Sequence, residues 1–483
     1  MVDVAIIGCG VIGAATAYTL ARYNVSVCVL EAENDVADGT TKANSAILHA
    51  GYDPEPGSLM AKLNVRGVAL AKQICAALDV PRKECGSLVL AFSEEEVPHL
   101  THLWQNGVAN GVPGVRVVTG DEARAMDPQL SQDVVAALYA PSAAIVNPWE
   151  YALAMAENAV ENGVEVKLNC RVEGAEALPG GGWRLHTSQG DVDARFVVNA
   201  AGVEAGAVHA MAAPPNFKTI PCRGEYYLLD KAEGARAFHV IFQCPTKAGK
   251  GVLVAPTVHG NLIVGPNAED VDSTANTAAG LAFVARMAKK SVPDVDLRQS
   301  IRNFAGVRAN TDQSDFVIQW AAPGFLDLAG MKSPGLSAAA AVGEYAAGLL
   351  AEAGLVQEKK PYVVETRRVV RFKELDAAGR AALIAQDPAY GRVICRCETI
   401  TEGEIVAACR RPIPPCSLDG VKRRAGTGMG RCQGGFCGPR VLEILARELG
   451  KSPLLIPQDK AGSTILTGET KQPKEGGAQH GTV

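Results

Sequence analysis

A multidomain α/β fold is what this 483-residue sequence predicts, and three observations predict it. A short apolar run, Val2 to Ile7, leads directly into Gly8-Cys9-Gly10-Val11-Ile12-Gly13 and then a helical stretch. Alternating apolar segments in the middle of the chain, such as Glu225 to Leu229, read as antiparallel strands. Near the end, Cys395, Cys397, Cys432 and Cys437 form two close pairs. The length exceeds what one hydrophobic core supports, so two or three domains are expected.

Composition bounds the class. Hydrophobic residues make up 47% and charged residues 20%, ordinary for a globular protein in water. A net charge of −5 gives no reason to invoke nucleic acid or an anionic membrane surface. No run of eighteen apolar residues occurs, so no integral membrane segment is expected. Val2 to Ile7 enters the glycine motif without a charged start or a cleavage site, which argues against a signal peptide. Thirteen cysteines fit a reducing cytoplasm better than a disulfide framework, with four thiols set aside for metal.

In chain order, the β-branched run Val2 to Ile7 reads as a fully buried strand. A helix follows from Val11 to Arg22, then a second strand, Ser26 to Leu30, ending at Glu31. Gly8 permits the tight turn, Gly10 lets the backbone approach a pyrophosphate, and Gly13 lets helix pack on strand. The helix N-terminus supplies N–H groups for phosphate, and Glu31 can accept from a ribose hydroxyl. Strand, helix, second strand and acid stand in register, which favours a dinucleotide site over a glycine-rich turn of another kind. No second such motif follows a strand. Gly426 to Gly430 lies between the cysteine pairs without a preceding apolar strand and reads as a cluster-binding loop.

Four further segments carry a resemblance. Gly39-Thr40-Thr41-Lys42-Ala43-Asn44-Ser45-Ala46-Ile47-Leu48-His49-Ala50-Gly51-Tyr52 resembles the segment under the flavin in the D-amino-acid oxidase/glycerol-3-phosphate dehydrogenase superfamily. Ala144 to Pro148, leading into a helix from Trp149 to Asn162, is similar to that family, as is Phe196-Val197-Val198-Asn199-Ala200-Ala201-Gly202. Leu328-Ala329-Gly330-Met331-Lys332-Ser333-Pro334-Gly335-Leu336-Ser337 resembles its late glycine-rich turn against the isoalloxazine. The resemblance covers nearly all of residues 1–350 and implies FAD bound in an extended form. It implies cofactor contacts from Gly8, Gly10, Val11, Ile12, Gly13, Glu31, Thr40, Thr41, Asn44, Ser45 and Val172, and from Ala201, Gly202, Gly330, Met331, Ser333, Gly335, Leu336 and Ser337.

The substrate half contributes strands at Glu225 to Leu229, Gly251 to Pro256 and Asn261 to Val264. In the resembling family such a sheet covers the flavin, and catalysis is hydride transfer to flavin N5 while a base takes the hydroxyl or amine proton. Arg308 precedes a polar loop, Ala309 to Asp315, and a strand, Phe316 to Gln319. It matches the family position facing the substrate's anionic group, where a planar guanidinium suits carboxylate or phosphate; a surface salt bridge is the plainer reading. His49 is a candidate general base, with packing or covalent flavin attachment as alternatives. Lys332 is a candidate contact to substrate or to the flavin N1–O2 edge, and Tyr52, Arg223 and Tyr226 are candidate lining residues. Asn44-Ser45, Leu48 to Gly51 and Pro56 to Leu59 most resemble the glycerol-3-phosphate and L-2-hydroxyglutarate branch, which favours alcohol over amine oxidation.

The C-terminal pattern is C-x-C, thirty-four residues, then C-x4-C, beginning at Arg392-Val393-Ile394-Cys395. Two thiolate pairs can each chelate one iron of a 2Fe-2S cluster. The pattern resembles the module named after bacterioferritin-associated ferredoxin, with short helices at Thr399 to Cys409 and Ser417 to Arg424. Structural zinc is the alternative, though its knuckles start C-x2-4-C. Cys409 and Cys416 read as ordinary buried thiols, and Lys359 to Asp387 as a charged, surface-hugging connector.

The implied architecture is a Rossmann-like FAD-binding domain (α/β; 1–85, 141–215 and 306–355), an inserted antiparallel-sheet substrate domain (α+β; 86–140 and 216–305), a connector (356–387), a small helical 2Fe-2S domain (388–450) and a partly disordered tail (451–483). The fusion resembles the large subunits of anaerobic glycerol-3-phosphate dehydrogenases, which implies partner redox subunits or an electron carrier, and membrane association through a partner only. The expected activity is oxidation of sn-glycerol 3-phosphate, a small anionic substrate, to dihydroxyacetone phosphate. A 2-hydroxy acid or amino acid is the second reading. A flavin and iron–sulfur electron-transfer protein without organic substrate is the third.

Overall fold

The computed structural model describes residues 1–245, 251–363 and 367–471. The chain forms a larger unit, residues 1–370 with 411–413 and 429–433, and a smaller unit of 371–410, 414–428 and Gly434 onward.

The larger unit holds two eight-stranded sheets. At the centre of the first, Val2–Ile7 lies parallel to Val27–Leu30 on one side and to Val192–Asn199 on the other. Glu165–Lys167 extends the Val27–Leu30 side in parallel. Phe325–Ala329 joins Val192–Asn199 in parallel, and the hairpin Val172–Ala177/Trp183–Thr187 pairs with that same strand antiparallel. The inner strands read as continuous apolar runs because both faces are covered. On one face sit the helices Val11–Leu20 and Gly335–Glu352, whose small residues let backbones meet. A Cβ on Gly343 would stand only 2.6 Å from the Ala15 carbonyl oxygen. The N-terminal helix ends at Leu20, two residues before the expected end.

The second sheet runs in the order Ser300–Thr311, Thr219–Leu229, Leu262–Gly265, Leu253–Pro256, Val240–Gln243, Ser87–Ala91, Ala136–Ala140, Arg116–Thr119. All pairings are antiparallel except Val240–Gln243 with Ser87–Ala91. The helix Ala278–Ser291 buries Val284 and Ala288 against Leu229, Val254 and Val264 of this sheet. The strand expected at Glu225 begins at Thr219 instead. Its partner runs on to Thr311, so the first residues of the expected loop Ala309 to Asp315 are strand. Pairing decides this: Thr219 faces Thr311 and Cys222 faces Arg308 along one continuous ladder.

The smaller unit is a short hairpin, Val393–Cys395 with Ile400–Thr401, and helices Glu402–Cys409, Leu418–Ala425 and Gly438–Leu449. Ile405, Val421 and Leu445 are fully buried among them. A capping box starts the first helix, where Thr401 and Glu404 satisfy each other's backbone N–H. Cys409 is buried, but Cys416 is only half-buried.

One expectation is corrected. The connector does not simply follow the surface, because Arg367 is buried between Glu150 and Glu157 at 3.1 Å from each. Two buried carboxylates require a cation, and the connector supplies it. The tail beyond residue 450 is ordered over its described part: Pro453–Leu455 forms a turn, Ile456 is fully buried, and Pro457 pairs with Thr464. The expected disorder of Gln472 to Val483 lies outside the described residues. Among the described residues, no helix is long and apolar enough to cross a membrane.

Candidate functional site

The nucleotide cradle begins at Gly8, whose φ of +94° suits glycine, and where a Cβ would stand 2.7 Å from the Ala200 carbonyl oxygen. A Cβ on Gly13 would run into the Gly8 carbonyl, so helix and strand meet at their closest here. Gly10 caps the helix with no side chain on its N–H groups, although Thr41 Oγ1 accepts from the Val11 N–H at 3.0 Å. Val11 and Ile12 are buried behind it. Glu31 is 9% exposed and accepts the N–H groups of Cys9 (2.6 Å) and Glu33 (2.9 Å). Burial pushes its carboxyl above the usual range, partly opposed by those two donors. Val172 is buried at the start of its edge strand, close in sequence to Cys170, which donates its N–H to the Glu31 carbonyl. In the second turn Ala201 N–H donates to Asn199 Oδ1 at 3.3 Å, and Asn199 is held by Asp327 at 2.8 Å. At Gly39 and Gly202 an added Cβ would meet nothing within 4 Å. A helix start with a glycine at its N-cap, a buried acid and glycines opening onto free space fit an extended dinucleotide.

The segment expected beneath a flavin is pinned at both ends. Thr40 Oγ1 donates to the Val307 carbonyl at 2.6 Å, and Asn44 bridges the carbonyls of Thr40 and Thr41. Ser45 and Tyr226 hydroxyls lie 3.4 Å apart. His49 N–H donates to Ser337 Oγ at 2.7 Å, its carbonyl accepts from Asn64, and its ring stacks on Phe242 at 5.7 Å. The late turn has Gly330 at φ +65° and Lys332 at φ +47°, and Gly335 then opens the long helix. Met331 and Leu336 are buried and Ser333 is exposed.

A cavity of about 440 Å³ opens beside this turn, and Arg308, Lys332, Ser333, Cys222, Thr311 and Asp315 are on its wall. It therefore gathers two of the three expected catalytic side chains, while His49 is not among its lining residues. Arg308 points Nη1 at Cys222 Sγ (3.5 Å) and Nη2 at the Asn267 carbonyl (3.3 Å). Lys332 Nζ donates to the carbonyls of Gln313 and Ser314, so it stitches the cavity's rim loop. The three expected lining residues are placed elsewhere. Arg223 is tied to Glu269 and Ala275, Tyr226 stacks on Phe304 at 4.7 Å, and Tyr52 is buried in a packing core. Asp315 and Asn267 escaped the sequence reading. Asp315 accepts from Leu59 and Met60 N–H at 2.8 Å each, capping a helix more than 250 residues away in the chain. No local pattern announces such a contact.

In the smaller unit Cys395 is hydrogen-bonded to Cys437, and this partner, with backbone N–H groups of Gly428 and Glu398, pulls its thiol down to about 6. Stabilised thiolate is what iron requires of a ligand. Cys397 is exposed and Cys432 half-buried. Among the described residues no group of three or more metal-ligating side chains is gathered, and Cys395 and Cys437 stand within hydrogen-bonding reach of each other. The donor chemistry of that pair fits an iron–sulfur cluster.

Comparison with known proteins places these features. Residues 3–349 match the family of FAD dependent oxidoreductases, and residues 393–447 match the BFD-like 2Fe-2S binding domain. The chain is 48% identical to a glycerol 3-phosphate dehydrogenase of Caloramator mitchellensis, over 98% of this chain and 99% of that one. It is 32% identical to a glycerol 3-phosphate oxidase of Mycoplasma genitalium, over 72% of this chain and 94% of that one. Among solved structures, the dithionite-reduced L-α-glycerophosphate oxidase of Mycoplasma pneumoniae with FAD bound superposes with a TM-score of 0.71 at 31% identity. That match covers 76% of this chain and 98% of the other.

Proposed function

Because this chain belongs to the FAD dependent oxidoreductase family and carries a BFD-like 2Fe-2S binding domain, we propose that it is a dehydrogenase of sn-glycerol 3-phosphate, forming dihydroxyacetone phosphate. FAD, when bound, supplies the two-electron acceptor for the substrate's hydride, and the 2Fe-2S cluster supplies a one-electron outlet.

The observation that carries this reading is Arg308 on the wall of the cavity beside the late glycine turn. Its guanidinium neutralises the phosphate and fixes which carbon faces the cofactor. Neither of its contacts is a carboxylate, so its charge stays available to an anion. Lys332 holds the rim loop through the carbonyls of Gln313 and Ser314 and adds positive charge at the mouth. His49 is assigned the hydroxyl proton: its main chain is held by Ser337 and Asn64 and its ring stacks on Phe242, although it is not among the residues lining the Arg308 cavity. Thr40 and Ser45 hold the flavin segment against the substrate sheet, Thr41 ties it to the start of the first helix, and Asn44 braces it from within. Cys395, Cys397, Cys432 and Cys437 hold the cluster. Electrons then pass to a partner redox subunit or carrier in the cytoplasm.

The test is anaerobic. Cluster-replete protein is mixed with sn-glycerol 3-phosphate and, separately, with L-2-hydroxyglutarate, and the flavin absorbance band is followed. Bleaching by the phosphate alone is expected. Bleaching by the hydroxy acid alone overturns the substrate, and no bleaching by either overturns the dehydrogenase reading.

A further inference from the structure

Behind Arg308 lies a polar clamp with no direct place in the reaction. Glu225 is fully buried, yet its carboxylate is saturated: Oε1 accepts the Thr277 N–H, and Oε2 accepts Asn267 Nδ2 at 2.6 Å and Thr277 Oγ1 at 3.3 Å. The same residue's backbone N–H donates to Asn267 Oδ1 at 2.8 Å. Both ends of the Asn267 amide are thus gripped by one residue. The main-chain carbonyl of Asn267, whose position the gripped side chain sets, is in turn the acceptor for Arg308 Nη2 at 3.3 Å.

The surrounding chain is shaped to allow this. A Cβ on Gly280 would run into the Glu225 carboxylate, and one on Gly224 would stand 2.8 Å from Arg308 Nη2. Thr277 caps the helix Ala278–Ser291, so the clamp is anchored to an element of the substrate sheet's core rather than to a free loop. A buried carboxylate is costly unless its lone pairs are all used. Here two of its three contacts come from Thr277 and one from Asn267, whose only onward polar contact shown is to Arg308.

We infer that Asn267, locked by Glu225, is a positioning residue: it fixes the direction of the Arg308 guanidinium and thereby the affinity for the anionic end of the substrate. The inference rests on the reading of Arg308 as the anion-binding group. Arg308 keeps its Cys222 contact without the clamp, but a thiol is a weak acceptor and leaves the fork free to swing. A guanidinium that samples several directions loses the two-point match to a phosphate.

The experiment is a set of steady-state measurements on FAD-loaded Asn267→Ala, Glu225→Gln, Arg308→Ala and the double variant Asn267→Ala/Arg308→Ala, each checked for flavin content and melting temperature. Asn267→Ala is expected to raise KM for sn-glycerol 3-phosphate roughly tenfold with kcat changed little, the effect of weakening one charge-assisted contact. The tenfold factor is expected to vanish in the Arg308→Ala background, which a merely structural role would not produce. Glu225→Gln, which keeps the shape and drops the charge, is expected to fall between wild type and Asn267→Ala, and Asn267→Ala carries the test if the buried glutamine prevents folding. A KM unchanged in Asn267→Ala, or a factor that persists without Arg308, overturns the inference while leaving the anion-binding reading intact. A KM unchanged in Arg308→Ala overturns that reading itself, and the inference with it.

Discussion

Glu31 shows how one residue's environment sets two opposite demands. Its carboxyl is raised above the ordinary range because burial outweighs the N–H groups of Cys9 and Glu33. A carboxyl raised in the fold stabilises the protein only while protonated. That contribution is complete below the unfolded value and is lost as pH rises through the folded one. Ionising Glu31 is therefore a cost to the apoprotein, offset when a ribose hydroxyl donates to it. Glu31→Gln is expected to leave the urea midpoint of the apoprotein unchanged or raised at pH 7, and to weaken FAD binding by roughly tenfold, read by flavin fluorescence. Equal affinity in the variant would remove Glu31 from the ribose site. Arg308 was also legible as a residue, since an arginine before a polar loop matches the family position. Its partners were not legible, because Cys222 and Asn267 reach it through strand pairing and a turn.

At the scale of elements, the first strand, helix and turn do two separable jobs. Gly13 serves packing, since a Cβ there collides with the Gly8 carbonyl. Gly10 serves the ligand, since a Cβ there would meet only Thr41 Oγ1 at 3.4 Å and its φ of −68° suits any residue. Gly13→Ala is thus expected to destabilise the apoprotein by about 1–3 kcal/mol in chemical denaturation. Gly10→Ala is expected to hold stability within about 1 kcal/mol while FAD affinity falls, because the new methyl occupies the approach of the pyrophosphate. If both variants lose stability alike, the two jobs are not separate. The inner strands were plain in the sequence as unbroken apolar runs. The strand Ser300–Thr311 was not, because its last residues look like a polar loop until the ladder with Thr219–Leu229 claims them.

Across the whole molecule, an FAD dependent oxidoreductase domain is followed in the same chain by a BFD-like 2Fe-2S binding domain. Cys395→Ser is expected to abolish the iron–sulfur absorbance and turnover with one-electron acceptors, while anaerobic bleaching of the flavin by sn-glycerol 3-phosphate persists. Loss of bleaching as well would mean that the cluster domain supports the flavin unit rather than drains it. The order of motifs was written in the sequence: glycines at fixed spacing, an acid after the second strand, paired cysteines. Such features are local, and their chemistry follows from residue type and spacing alone. Only the tertiary structure decided that Arg308 and Lys332 share a cavity that His49 does not line, that Arg223 belongs to Glu269, and that Asn267 stands behind Arg308. Those relations join residues dozens to hundreds of positions apart, and they exist only once strand register and burial force each polar group to find a partner.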